Sequence, residues 1–184
     1  HGDEDTHRHA GVNPHLFASP RMAALLALSI ADQLGKADPQ RGEAYHANAE
    51  AYAAKMSELA DEFDDLGTRL SKNCIVTQHG VFDYLARDIG LDIVAVIQAH
   101  AGQEPSPAEV LEIVEAIKEK NVGAVFVEPQ YPDRVGRTIA DEAGVPLAKL
   151  DPVATGPDDA PLDYYETVMR ANMKTLQNTL GTID

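Results

Sequence analysis

The sequence predicts an α/β fold with about four parallel strands, helices on both faces of the sheet, and a long helical segment in front. Three observations predict it. Up to about Ser71 the apolar residues recur at helical spacing. After it, four short runs rich in Val, Ile and Leu alternate with helical stretches. Proline, glycine and capping residues punctuate these stretches where helices should start and stop. Strand–helix alternation of this kind implies a parallel, doubly wound sheet with right-handed crossovers.

Residues 1–14, "HGDEDTHRHAGVNP", are polar, rich in His and acid, and lack periodicity, so they read as a tail or loop. Ser19 and Pro20 form a cap and first-turn pair opening a helix to about Leu34. Asp38 and Pro39 repeat that signal. The helix they announce carries Tyr45, Ala49, Tyr52, Met56, Leu59, Phe63 and Leu66 as an apolar stripe and runs to about Gly67. At about 1.5 Å per residue it is roughly 40 Å long. Strands are expected near 74–78, 92–97, 123–128 and 146–150, with helices at about 81–89, 107–120, 132–143 and 162–180. "SPAE" at 106–109 is a capping box with proline in the first turn. Gly90, Gly144 and Gly181 are helix stops. The chain therefore divides into 1–14, a helical part over 15–70, and an α/β part over 71–184.

Composition narrows the function. The 184 residues carry a formal charge of -15, which argues against nucleic acid or an anionic membrane surface as the partner and is compatible with cations. A single cysteine, Cys74, excludes an internal disulfide and any Cys-rich zinc site; at a strand start it reads as a buried small hydrophobe. No apolar run reaches the length of a membrane span. The chain begins with His1, not methionine, and reads as a processed or excised piece of something longer.

The chemistry gathers at strand ends. The first strand reaches His79, the third Glu128 and the fourth Asp151, while the second runs out through Gln98 and His100. In a parallel sheet these ends share one edge, where ligands sit in such folds. Imidazole with carboxylate suits a divalent cation such as Zn2+ and, less well, Mn2+. The competing reading is ordinary: an acid at a strand end is commonly a helix cap. His15 lies on a proline turn before the Ser19 cap and is equally a ligand or a surface residue; His46 on the long helix reads as exposed. His1, His7 and His9 with Asp3, Glu4 and Asp5 make a loose metal-attracting tract. Nucleophile-elbow, phosphate-loop and dinucleotide motifs are absent. Aromatics at 5% and the lack of tryptophan leave few platforms for stacking a sugar.

Taken together, "NPHLFASP", "VTQHGVFDYLARDIGL", "EPSPAEV", "VFVEPQY" and "LDPV" resemble the metal-specific solute-binding proteins of ABC transporters, in order and spacing from Asn13 to Leu180. The first is similar to the family's N/D-P-H-x-W-x-S/D-P element, with Phe17 where tryptophan is common. The resemblance implies two α/β lobes joined by a rigid helix, with the metal between them. On it, residues 1–14 are the remnant of an acidic His-rich loop, 15–70 the connecting region and 71–184 the carboxyl-terminal lobe. The amino-terminal lobe and its ligand histidine have no counterpart here.

Residue by residue, the resemblance makes His15, His79 and Asp151 metal ligands and moves Glu128 to a supporting or structural role. Histidine at position 79 points to the zinc type; manganese members often place a carboxylate there. Gly80 is expected to let the chain turn tightly into the helix after it. The function implied is extracytoplasmic capture of Zn2+ and delivery to a membrane permease, from the periplasm or a lipid-anchored parent. It is not an enzyme on this reading. A manganese receptor, an adhesive lobe and, from another class, a metallohydrolase are the alternatives. The face left by the missing lobe should be apolar and could drive self-association.

Overall fold

The computed structural model describes residues 12–98 and 103–183. Its elements run α1 (Pro20–Ala37), α2 (Gly42–Arg69), β1 (Cys74–Thr77), α3 (Asp83–Ile89), β2 (Asp92–Val96), α4 (Pro107–Glu119), β3 (Ala124–Val127), α5 (Arg134–Ala143), β4 (Leu147–Lys149) and α6 (Tyr164–Leu180). The four strands form one sheet in the order β2-β1-β3-β4. Each pairing is parallel, so all carboxyl ends lie along the same edge.

Alternation along the strands builds two cores. Ile75 of β1 and Ala124 and Phe126 of β3 pack with Met56, Leu59, Phe63, Leu85, Met169 and Leu176. Val76, Val125 and Val127 point the other way, onto Ile113, Ile117 and Ile139. So α2, α3 and α6 cover one face and α4 and α5 the other, with α1 packed along α2. Each fully buried Leu, Ile or Phe contributes about 1.5–3 kcal/mol, which is why a four-stranded sheet this short is held.

Capping follows the sequence closely. Ser19 Oγ accepts from Met22 N at 3.2 Å and donates to Asp88 Oδ2 at 2.6 Å, so one hydroxyl caps α1 and ties it to α3. Both halves of the Ser106–Glu109 box are formed. Gly90 and Gly144 close α3 and α5 in the left-handed conformation.

Three expectations need correction. Asp38–Pro39 does not open the long helix; it starts a 3-10 turn, Pro39–Arg41, and α2 begins at Gly42. The Asp38 carboxylate is instead bonded by Tyr45 Oη at 3.1 Å and Arg41 Nη1 at 3.4 Å. Gly80 is not among the positive-φ glycines, so its conformational freedom is not used; the chain turns through a 3-10 turn, Gly80–Phe82, after an extended His79. Cys74 is half-buried against the α4/α5 core and not fully enclosed.

The two ends of the α/β part meet. Leu70 and Thr182 form an antiparallel bridge, Ser71 N donates to Gly181 O at 3.0 Å, and Ile183 N donates to Arg69 O at 2.8 Å. Among the described residues no helix is long and apolar enough to cross a membrane.

Candidate metal centre

Two residues past β1, His79 holds an extended backbone and is 9% exposed. Its Nδ1 lies 2.6 Å from Oε1 of Glu128, the residue that follows β3 and is itself 4% exposed. A carboxylate at that distance accepts, so the ring proton sits on Nδ1. In the neutral ring Nε2 is then the lone-pair nitrogen, and it is buried without a hydrogen-bond partner among the described residues. Leaving such an atom unpaired costs about 1–3 kcal/mol. A Lewis acid removes that penalty. The Tyr131 ring stands edge-on to the imidazole at 4.7 Å and closes one side. Gln78 locks the β1–β3 junction by accepting from Glu128 N at 3.0 Å, and Thr77 Oγ1 donates to His79 O at 2.9 Å.

His15 is half-buried at the start of a 3-10 turn, Leu16–Ala18. Its Nδ1 is 2.7 Å from Asn13 Oδ1, and its backbone N–H donates to the same oxygen at 3.0 Å. Asn13 also reaches the turn after His79: Nδ2 donates to Gly80 O at 2.6 Å and to Asp83 Oδ2 at 2.7 Å, while Tyr84 Oη donates to Asn13 O at 2.8 Å. Further along, Tyr165 Oη on α6 donates to Phe17 O at 2.7 Å. Burial pushes the Tyr165 phenol well above its ordinary range, and Tyr52 and Glu166 push it further.

Asp151 follows β4 and is half-buried. Its Oδ1 accepts from Gln130 Nε2 at 2.8 Å and Val153 N at 2.9 Å. Asn172 of α6 holds its backbone at both ends, with Oδ1 to the N–H at 3.0 Å and Nδ2 to the carbonyl at 2.7 Å. Val153 sits at φ 61°, in the left-handed region that a β-branched residue avoids. Strain of that kind costs about 1–3 kcal/mol and persists only where neighbours fix it.

The sequence-derived candidates are thus brought together in part. His79 and Glu128 touch, and His15 is tied through Asn13 to the turn that carries His79. Asp151 belongs to a separate network on β4, which pairs with β3 and not with β1. Two strand spacings of about 4.8 Å separate its strand from that of His79. Among the described residues no three His, Cys, Asp or Glu side chains stand close enough together to hold a metal ion. His1, His7, His9 and His100 lie outside the described residues. His46 Nε2 lies 3.5 Å from Asp32 Oδ1 on the helix pair, away from this edge. Asn13, Gln130, Tyr131 and Asn172 were not singled out by the sequence. Asn13 lies in "NPHLFASP" and Gln130 and Tyr131 in "VFVEPQY", the quoted motifs, but no role is read for them there; an Asn two residues before His15 is also the spacing of an Asx turn.

The family described as zinc-uptake complex component A, periplasmic, matches residues 1–179. The chain belongs to the zinc-uptake component A family. Within it, the zinc-binding protein AdcA of Streptococcus pyogenes is 32% identical over 179 residues, 96% of this chain and 34% of AdcA. Among solved structures, a mutant form of the laminin-binding adhesin Lmb of Streptococcus agalactiae superposes with a TM-score of 0.83 at 31% identity, covering 94% of this chain and 65% of that one. A Zn(II)-bound mutant variant of AdcAII from Streptococcus pneumoniae gives 0.79 at 32% identity, covering 91% and 60%. The chain therefore spans about a third of AdcA and less than two thirds of either structure. It has the α/β fold of these solute-binding proteins.

Proposed function

We propose that this chain is the metal-holding part of an extracytoplasmic solute-binding protein that captures Zn2+ and hands it to an ABC permease. The observation that carries the reading is His79: its Nδ1 is committed to Glu128 and its Nε2 is buried with no hydrogen-bond partner among the described residues. That is how a zinc-ligating histidine is prepared, with a carboxylate behind the ring fixing tautomer and raising basicity. His15 and His79 are the direct ligands in this reading. Asp151 is the carboxylate that approaches from β4, with Oδ1 held by Gln130 and Val153 and Oδ2 left for the ion. Residues 15–70 act as the connecting region and 71–184 as one lobe, with 1–14 the end of a His-rich loop whose His1, His7 and His9 gather metal loosely. The longer relatives have length for a second lobe, which would complete the coordination and cover the ion. The protein works in the periplasm or on the outer side of a membrane.

Metal capture fits the site better than hydrolysis does. Glu128 is the carboxylate placed nearest the histidine, and one of its oxygens already holds the ring, so it is poorly placed as a general base. The test is a competition titration of Zn2+ against a chelator for the chain and its H79A and H15A variants, with ester and phosphate hydrolysis assayed on the same samples. Tight zinc binding lost in both variants, without turnover, is expected. Zinc binding equal in all three chains overturns the proposal.

A further inference from the structure

We propose that Asn13 is a positioning residue that sets which nitrogen of His15 is offered to the metal and fastens that histidine to the turn behind His79. The role toward the ion rests on His15 being a ligand; the contact itself does not. The orientation of the Asn13 amide is fixed by its partners. Nδ2 lies 2.6 Å from Gly80 O and 2.7 Å from Asp83 Oδ2, a carbonyl and a carboxylate, which only accept. Exchanging the amide's oxygen and nitrogen would set an oxygen against two oxygens. Oδ1 must therefore face His15, and an amide oxygen cannot donate. The ring nitrogen 2.7 Å away, Nδ1, carries the proton, and the lone pair is at Nε2. Glu128 imposes the same tautomer on His79. Two histidines far apart in sequence, each held from behind, thus present the same nitrogen.

An Asx turn would account for less than this. It requires only the bond from His15 N to Asn13 Oδ1. It needs neither the ring contact nor the two bonds by which Nδ2 crosses to Gly80 and Asp83. Tyr84 Oη, donating to Asn13 O at 2.8 Å, adds a second tether from α3. Every polar group of the Asn13 side chain is used, and each use either orients His15 or joins it to the His79 turn.

The experiment reads the ring directly. Metal-free chain labelled with 15N at histidine reports the His15 tautomer by NMR, and a chelator competition reports Zn2+ affinity. The unmodified chain should show Nδ1–H at His15. N13A should lose it, reverting towards the Nε2–H form that histidine ordinarily prefers in water, and should bind zinc about 10–100-fold more weakly. In the exchange N13D/D83N, a carboxylate at position 13 accepts from the ring and an amide at position 83 donates back to it. That pair should restore the tautomer, and only part of the affinity because the Gly80 carbonyl then faces a carboxylate oxygen and loses its donor; its tautomer carries the test if N13A does not fold. Y84F loosens the segment without touching the ring and should keep the tautomer. An unchanged tautomer in N13A overturns the proposal, as does a Y84F chain whose tautomer shifts as far as that of N13A. Zinc affinity untouched by H15A removes His15 from the site and with it the role of Asn13 toward metal; the tautomer still reports whether the contact exists.

Discussion

At the scale of residues, the pairing of His79 with Glu128 is decided by strand order. The sequence marks both as strand-end residues, but nothing in its periodicity says that β1 and β3 are neighbours; the register Ile75–Ala124 does. Asp151 follows β4, one strand beyond β3, and its Oδ1 is bonded to Gln130 and Val153 and not to the His79–Glu128 pair. Glu128 should act through the ring it holds: E128Q keeps an acceptor but loses the charge, and zinc affinity in a competition titration should fall about 10–100-fold. H79E, the natural way to harden the site for Mn2+, instead sets a second carboxylate against Glu128. Two acids so close cannot both ionise freely, so H79E should bind both metals weakly by the same titration. The buried phenol of Tyr165 gives a pH prediction. Its folded pKa lies above the unfolded value of 10.0, so the unfolded chain gives up this proton first. The stability it contributes is complete below about pH 10 and falls as pH rises beyond it. Urea melts from pH 8 to 11 should show that decline, and Y165F should flatten it while losing about 1 kcal/mol at neutral pH with the bond to Phe17 O.

At the scale of elements, caps and stripes were legible because they are local chemistry: a hydroxyl three residues before an N–H, or apolar residues three and four apart. Asp38–Pro39 misled because the same pair starts a 3-10 turn as well as an α-helix, and the choice fell to partners of the Asp38 side chain. Two helical glycines show where packing overrides propensity. A Cβ on Gly35 of α1 would meet its nearest atoms at 3.6 and 3.7 Å, ordinary contact. G35A should therefore stabilise the chain by about 0.5–1 kcal/mol. A Cβ on Gly67 of α2 would stand 2.3 Å from the Ile89 carbonyl oxygen, a backbone atom that cannot swing aside. G67A should cost about 1–3 kcal/mol despite the same gain in helix propensity. Thermal melts of the two variants should move in opposite directions.

For the whole molecule, the site is one side of a cleft in the proposed reading, and the ion should reflect that. X-ray absorption at the zinc edge should find histidine nitrogens together with at least one solvent oxygen, since an incomplete ligand set leaves positions for water. Zinc at a hundredfold excess over its dissociation constant should stabilise the fold by about 2.7 kcal/mol. For a chain of this length that is a rise in melting temperature of about 5–10 °C. The rise should vanish in H79A, and a rise that survives there would place the binding elsewhere, for instance in the His-rich start.

The meeting of Arg69, Leu70 and Ser71 with Gly181, Thr182 and Ile183 has a mechanical meaning. The long helix α2 hands the chain to the first strand at the place where the last helix returns. Its last two turns are also pressed onto Ile89 at Gly67, and Glu62 is paired with Arg170 of α6. Its carboxyl-terminal end is bolted to α3, to α6 and to the residues after α6, and cannot swing there as a hinge without breaking all of these at once. In the proposed reading, any movement that accompanies loading or release of the ion is then left to the connections at the carboxyl edge.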